Sequence, residues 1–443
     1  MKRRESWEQA KNQCQHYKRR SPEKGALYQL VNDKRASLEY LWEELFQPEY
    51  GYLRPEVLKA FDAYLNCGIL EHGVARVYCD GCQHTLLVAF SCKKRGVCPS
   101  CGAKRAVKFA EHLYNEVLED CEQRHVVFSL PKRLRSYLRY NRSLASHVFQ
   151  AAWRSLAECL SVEGYQPGAI LTLQTAGDAL NFNPHLHGLL SNVLFAADGS
   201  RISLPEINRS ALTERFCELV LSKFCKLELI SDEVMSQILF QEHSGFAVWV
   251  GEPFQDAESK HFVSRYIERG PVSLERLKIG EEGVIYETKD GEQRQYDALE
   301  FLALLSSHVP KKYESLTRYY GHYSCRVRGE RKKREALEAE NSSGLPIANS
   351  TESTVKASSS WAACVKRIYE VDPLECPKCK SQMRIIAFVQ EPNAIKAMMK
   401  SLGLPEYRAP PPLNFKSRSV FDEQLCMDEI PACGEYDRTD YDS

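Results

Sequence analysis

The 443-residue sequence has no run of about 18 apolar residues, the length a helix needs to cross a bilayer. Its first segment, MKRRESWEQAKNQCQHYKRR, also lacks the apolar core of a secretion signal. Both absences predict a cytoplasmic protein without a membrane partner. Net charge is missing too: Lys+Arg and Asp+Glu each number 59, so whole-chain charge does not point to a polyanionic ligand. There is no GxxxxGK[ST] phosphate loop, no serine-hydrolase elbow and no H-E-x-x-H helix. No nucleotide cofactor is therefore expected, and several common hydrolytic chemistries lose their signature.

Charge is present locally. Residues 91–142 hold 12 basic and 5 acidic side chains, and residues 311–335 hold 9 and 3. The end, 421–443, holds 8 acidic residues and one Arg. Two basic stretches are thus offset by an acidic tail, and either stretch suits a phosphate backbone or a solvated helix face. Seventeen cysteines in a chain of this kind point to reduced thiols or metal ligands rather than disulfides.

Apolar spacing divides the chain into an N-terminal helical region (1–60), a zinc-binding module (61–123), an α/β or α+β domain (124–336), a hydrophilic linker (337–360), a CxxC module (361–404) and an acidic, disordered tail (405–443). Within the large domain, HVVFSL (125–130), AILTLQ (169–174) and HLHGLLSNVLF (185–195) read as strands. KRAVKFAEHLYNEVLEDC (104–121) and residues 143–160 read as helices.

Cys79-x2-Cys82 followed by Cys98-x2-Cys101 has the spacing of a four-thiolate zinc site, with Gly81, Pro99 and Gly102 supplying turns. Such a closed site is structural, because it leaves no position for water. Cys67, His72 and Cys92 lie nearby and are candidates to replace a ligand or build a second site. Lys93, Lys94, Arg95, Lys104 and Arg105 flank the module and are candidate nucleic-acid contacts. A later pair, Cys376-x2-Cys379, would need Cys364, Cys426, Cys433 or another chain to complete a site.

In NFNPHLHGLL, His185 and His187 are two apart, so in a strand both imidazoles share one face and suit one metal ion. Gln174, at the end of the preceding strand, is a candidate third ligand. A metal there could polarise a phosphoryl oxygen. The nucleophile candidates are tyrosines: Tyr266 in KHFVSRYIERGPVSLERL, with Phe262 one turn earlier, or Tyr319, Tyr320 and Tyr323 in RYYGHYSCRVRG. Spacing does not choose between them.

The ordered set CDGC…SCKKRGVCPSC, HVVFSLPKRLR, QTAGDALNFNPHLHGLL, SRYIERGPVSLERL, HVPKKYESLTRYYGHYS and WAACVKRIYEVDPLECPKCKSQMRIIAF resembles the rolling-circle insertion-sequence transposases of the HUH (histidine-hydrophobic-histidine) endonuclease superfamily, which carry an N-terminal transposase zinc-binding domain. The likeness runs from about Gly51 to Leu404 and is nearest the single-tyrosine, ISCR-like group. It implies an α+β fold, with a central antiparallel sheet flanked by helices in the HUH nuclease domain. It also implies a metal pair at His185 and His187, Tyr266 as nucleophile, structural zinc, catalytic Mg or Mn, single-stranded DNA at element ends and target as partner, and a bacterial, nucleoid-associated setting. Relatives with a second tyrosine carry it where this chain has Phe262, which points to one nucleophile. The competing readings are a non-catalytic zinc-stabilised DNA-binding protein, a plasmid replication initiator and a small-substrate metal hydrolase.

Overall fold

The computed structural model describes residues 21–240, 245–343 and 374–415. Cys364, Cys426, Cys433, most of the expected linker and most of the acidic tail lie outside the described residues.

The chain opens with α1 (Ala26–Leu45), whose buried Leu27, Leu30, Val31, Leu38 and Trp42 recur at three- and four-residue steps, and α2 (Pro55–Leu65), with Pro at its first position. A hairpin, β1 (Val74–Tyr78) and β2 (Thr85–Ala89), leads to α3 (Pro99–His112), which continues into one wider turn, Leu113–Val117. Then come β3 (Gln123–Ser129), α4 (Lys132–Tyr140), α5 (Ala145–Leu160), β4 (Tyr165–Ala176), β5 (Phe182–Ala196), β6 (Arg201–Ser203), α6 (Arg209–Lys226) and α7 (Asp232–Leu239). β7 (Ala247–Phe254), α8 (Ala257–Ile267), β8 (Leu277–Gly280), β9 (Gly283–Glu287), β10 (Gln293–Tyr296) and α9 (Ala298–Ser307) follow. The described elements end with β11 (Thr317–Gly321), α10 (Cys325–Ser343), β12 (Arg384–Val389) and α11 (Pro392–Ser401).

The fold is α+β. Its main sheet is antiparallel in the order β11-β4-β5-β3-β7, with β6 added to β5. Alternation gives this sheet two different faces. Val126, Phe128, Leu171, Leu173, Leu186, Leu190, Val248 and Val250 point into a core closed by α4, α5 and α6. The residues between them face the opposite side, where α3 and α8 pack. On the core face Gly188 lets the strands fit: a Cβ at this position would lie 2.5 Å from Leu171 Cδ2 and 2.6 Å from the Ile170 carbonyl oxygen.

A second core joins α1 and α2 to the β8–β10 sheet and α9, so the N-terminal helices share their apolar interior with residues far along the chain rather than forming a region of their own. The C-terminal segment is likewise no separate module. β12 pairs antiparallel with β1, from Val74↔Val389 to Tyr78↔Arg384, and makes the hairpin a three-stranded sheet. The RYYG of RYYGHYS is strand, ended by Gly321 at φ +55°, where a Cβ would meet the Pro167 carbonyl oxygen at 2.0 Å.

His308 closes the inner end of α9. Its Nε2–H donates to the Leu180 carbonyl at 2.8 Å, and its Nδ1 lies 3.0 Å from the Thr175 hydroxyl. Burial holds its pKa down to about 4, whereas an unfolded histidine titrates near 6.5. Between those values the unfolded state binds the extra proton. This contribution to stability is therefore complete above pH 6.5 and falls by up to roughly 3 kcal/mol as the pH drops toward 4. Thermal unfolding from pH 7 to 4 is expected to show a shallower slope in His308→Gln than in the unsubstituted protein.

Candidate active site

Period-two alternation along β5 puts Asn183, His185 and His187 on the open face of the main sheet. Register sets their neighbours. His185 stands opposite Ser129 of β3 and Gln174 of β4, and His187 opposite Val127 and Thr172. His125, two residues before Val127, therefore shares the face. Alternation along β5 alone singles out Asn183, but His125, the first residue of the expected strand 125–130, joins the pair only through the β3–β5 register.

The three imidazoles form a chain. His185 Nδ1 lies 2.6 Å from the Asn183 carbonyl, which can only accept, so that nitrogen carries the proton and Nε2 is a bare lone pair. His187 Nε2 lies 2.9 Å from it, and His187 Nδ1 lies 3.0 Å from His125 Nε2. Two proton arrangements satisfy this chain. In one, His125 donates to His187, which donates to His185. In the other, His187 Nδ1–H donates to His125, and two bare Nε2 atoms face each other, which is tolerable only with a cation between them.

Burial lowers all three pKa values. His125 falls to about 4, His185 is lowered, and His187 goes well below its usual value, with repulsion from His185 and His125 adding to the burial. All three are thus neutral near pH 7 and competent as ligands. The residues fit a divalent ion in two further respects. The 2.9 Å spacing matches the edge of about 3 Å between adjacent ligands at about 2.1 Å in an octahedral shell. The Asn183 side-chain oxygen, on the same face, is buried without a hydrogen-bond partner.

Tyr266 sits at the C-terminal end of α8, a helix capped at its start by Asp256, whose carboxylate accepts from Ser259 N at 2.7 Å. Its ring stands edge-on to His187 and His125, with centroids 5.3 and 5.9 Å apart. Gln174 holds this helix end: its Nε2 donates to the carbonyls of Tyr266 at 2.9 Å and Ile267 at 3.1 Å. The Tyr266 carbonyl also accepts from Arg269 N–H at 3.2 Å, so the amide reinforces the helix end. The amide expected above as a metal ligand is thus engaged through its nitrogen in positioning Tyr266. Phe262, 62% exposed, stacks one turn before Tyr266 at 6.5 Å.

The other tyrosines lie elsewhere. Tyr320 stacks on Trp153 at 5.3 Å on the far face, and Tyr319 packs beneath Arg328. Tyr323 is fully buried, with its hydroxyl accepting from Gln123 Nε2 at 2.9 Å. None of the three lines the cleft.

That cleft, of about 720 Å³, is lined by His125, His185, His187, Tyr266, Phe262 and Trp249, with Arg95, Arg105, Arg269, Arg276 and Lys289 around them. Asp178 neutralises Arg276 at 2.6 Å. Burial raises the Glu268 carboxyl against the opposing pull of Arg105 and Arg95. Of the five expected nucleic-acid contacts, Arg95 and Arg105 reach the cleft wall, while Lys93, Lys94 and Lys104 do not line it.

The cysteines assemble differently from the spacing-based expectation. Cys67, Cys92, Cys98 and Cys101 form one group, and Cys79, Cys82, Cys376 and Cys379 another, each with its sulfur atoms within 4.8 Å of one another. Cys79 and Cys82 do not join Cys98 and Cys101, and His72 belongs to neither group. The reason is the hairpin. Cys79 and Cys82 occupy its closed end, whereas Cys67 precedes β1 and Cys92 follows β2 at the open end. Five residues of strand separate the two ends by roughly 17 Å. The Cys67 group forms part of the cleft wall through Arg95, Gly96, Val97, Cys98 and Pro99.

Two family models match the chain: "Transposase zinc-binding domain" over residues 38–130 and "Putative transposase" over residues 168–331. The first range holds His125 and six of the eight clustered cysteines. The second holds Gln174, His185, His187 and Tyr266. The chain is 25% identical over 366 residues to the transposase for insertion sequence element IS801 of Pseudomonas savastanoi pv. phaseolicola, covering 77% of this chain and 86% of that protein. It is 28% identical over 286 residues to the putative transposase y4qJ of Sinorhizobium fredii, covering 57% and 71%. No solved structure matches.

Removing the Tyr323 hydroxyl leaves the buried Gln123 amide with only its 3.4 Å contact to the Cys121 carbonyl and its 3.2 Å contact to the Cys121 sulfur. Tyr323→Phe is expected to destabilise the protein by about 1–3 kcal/mol in urea unfolding, an effect of packing and not of cleft chemistry.

Proposed function

We propose, for a chain that is a rolling-circle, IS91-like transposase, that it cuts and rejoins single-stranded DNA by tyrosine transesterification in the cleft between α8 and the open face of the main sheet. The reading includes the HUH nuclease fold for the domain built on that sheet. One observation carries it: Tyr266, alone among the candidate tyrosines weighed above, stands against the His185–His187 pair, its ring centroid 5.3 Å from that of His187.

His185 and His187 would hold a divalent ion, Mg or Mn, with the Asn183 or Gln174 amide oxygen available as a third donor. When bound, the ion would polarise a phosphoryl oxygen and offset charge developing at the scissile phosphate. The remaining work falls to the chain. Gln174 fixes the backbone of Tyr266, so the phenol is presented from a held helix end. The Tyr266 oxygen attacks phosphorus, the P–O3′ bond breaks, and the phenolic proton is taken up by the departing 3′ oxygen. The products are a 5′-phosphotyrosine link and a free 3′-hydroxyl. Attack by another 3′-hydroxyl reverses the exchange, rejoining DNA and returning the phenol. One ester bond is exchanged for another, so no nucleotide is consumed.

Arg95, Arg105 and Arg269 are suited to the phosphate backbone, and the exposed Phe262 at the cleft to stacking an unpaired base. Phe262 lies where a second nucleophile would stand, which supports a single-tyrosine cycle. Among the described residues no helix is long and apolar enough to cross a membrane. Action on DNA in the cytoplasm is the corresponding proposal.

Incubation with a single-stranded oligonucleotide from an element end is expected to give a covalent adduct that maps to Tyr266 and falls to background in Tyr266→Phe. An adduct retained in that variant would overturn the assignment, and intact binding without any adduct in the unsubstituted chain would favour a DNA-binding role without catalysis. His125 orients His187 rather than holding the ion, so His125→Phe is expected to weaken Mn binding by about 10–100-fold, read by electron paramagnetic resonance.

A further inference from the structure

We propose that Cys79, Cys82, Cys376 and Cys379 bind a second structural zinc ion, distinct from the one suited to Cys67, Cys92, Cys98 and Cys101, and that this ion fastens the C-terminal segment to the N-terminal module. The proposal is independent of the chemistry assigned to Tyr266.

The two half-sites are almost 300 residues apart in sequence, yet their backbones are the same. In the first knuckle, Cys79 N–H donates to the His84 carbonyl at 2.9 Å and Gln83 N–H to the Cys79 carbonyl at 2.8 Å. In the second, Cys376 N–H donates to the Ser381 carbonyl at 2.9 Å and Lys380 N–H to the Cys376 carbonyl at 2.9 Å. Gln83 and Lys380, each four residues after the first cysteine, have φ of 61° and 63°. A side chain accepts this left-handed conformation only where the surroundings require it. Its recurrence at matching positions shows that both loops are bent in the same way around their sulfurs.

The loops also face each other. Cys79 Sγ lies 3.4 Å from Cys379 Sγ, and Cys82 Sγ lies 3.5 Å from Cys376 Sγ. A disulfide would bring sulfur atoms to about 2.05 Å. The edge of a tetrahedron with Zn–S bonds of about 2.3 Å is about 3.8 Å, close to what is seen. The other group has edges of 3.6 and 3.7 Å. Gly81 contributes by having no side chain: a Cβ there would lie 3.2 Å from Ser381 Oγ and 3.7 Å from Cys379 Sγ. Four thiolates with no open position make a holding site and not a catalytic one.

The ion has something to hold. The core beneath it consists of Ala75, Val77, Cys79, Val88, Cys376 and Met383, and its companion of Leu70, Val74, Leu87, Ile395 and Met399. Clusters this small hold a segment weakly; Tyr407, Leu413 and Phe415 further along also pack against the core of α1 and α2, and a metal staple would secure the part nearest the knuckles. The ion pair that accompanies them, Asp80 with Arg384, is exposed on both sides and adds little. Zinc at the paired knuckles would therefore keep β12 on β1 and α11 on the hairpin.

The two sites differ in access. In the composite site Cys379 is exposed and Cys82 half-buried beside buried Cys79 and Cys376, whereas in the other group only Cys92 is half-buried and Cys67, Cys98 and Cys101 are buried. The composite site is thus the first to yield to a chelator, releasing the C-terminal segment while the cysteines of the cleft wall stay loaded.

Native mass spectrometry of the full chain is expected to count two zinc ions, and the Cys376→Ser/Cys379→Ser double variant one. A single zinc in the unsubstituted chain, or two in the variant, would overturn the proposal. A second measurement needs no variant: the zinc-loaded chain is treated with chelator and pulsed with a maleimide, and modified cysteines are mapped. Cys79, Cys82, Cys376 and Cys379 are expected to react in one kinetic phase, ahead of Cys67, Cys92, Cys98 and Cys101. Immediate modification of Cys376 and Cys379 while Cys79 and Cys82 remain protected would sink it.

Discussion

The two-sidedness of the main antiparallel sheet organises the molecule. A strand sends alternate side chains to opposite faces, and here one face is sealed by α4, α5 and α6 over Phe128, Leu186 and Leu190. The polar residues between them cannot turn inward, since a slip of one residue would bury His185 and His187 among leucines. They are committed to the face on which α8 lies, while behind them, on the core face, the bare Gly188 backbone lets β4 and β3 close tightly. Catalytic geometry of the kind proposed therefore rests on ordinary packing behind the sheet.

Close spacing then constrains the protons. Because the Asn183 carbonyl can only accept, His185 must be protonated at Nδ1, which leaves its Nε2 bare and His187 and His125 with the two proton arrangements described above. Burial keeps all three imidazoles neutral, so the cleft does not repel a cation by titrating first. Positive charge comes instead from arginines at the wall. Part of that wall is the loop bearing Arg95, Gly96 and Cys98, where Gly96 at φ +80° comes so close to α9 that a Cβ would lie 2.7 Å from the His308 carbonyl oxygen. A metal on the Cys67 group would thereby set the shape of the proposed DNA site without taking part in its chemistry.

The proposed transesterification needs a nucleophile held still against a phosphate, and the end of α8 is held in a way that suits this. Gln174 on the neighbouring strand gives one amide to the carbonyls of both Tyr266 and Ile267, the first of which also accepts from Arg269 N–H. Tyr319, Tyr320 and Tyr323 lack such a setting. They serve the sheet edge and its packing, which explains a tyrosine-rich segment without giving it a share in strand exchange.

Much of this was legible in the amino-acid order. The main strands, α5 and α8, the shared face of His185 and His187 and the turn at Cys79–Cys82 follow from local spacing, because the period of a strand or the bend of a knuckle involves only a few neighbouring residues; Pro99 and Gly102, expected to supply turns, lie instead in the first turn of α3. The family resemblance singled out Tyr266 before its surroundings were known. What spacing could not supply was partnership. Whether Cys79 meets Cys98 or Cys379 depends on which end of a hairpin each occupies and on β12 returning from the far end of the chain. His125 enters the histidine chain only through the β3–β5 register, and Gln174 turns to a helix end because α8 happens to stop beside it. Facing within an element is fixed by backbone geometry and is readable from sequence. Contacts between elements are fixed by the packing of the cores, and only the tertiary structure decides them.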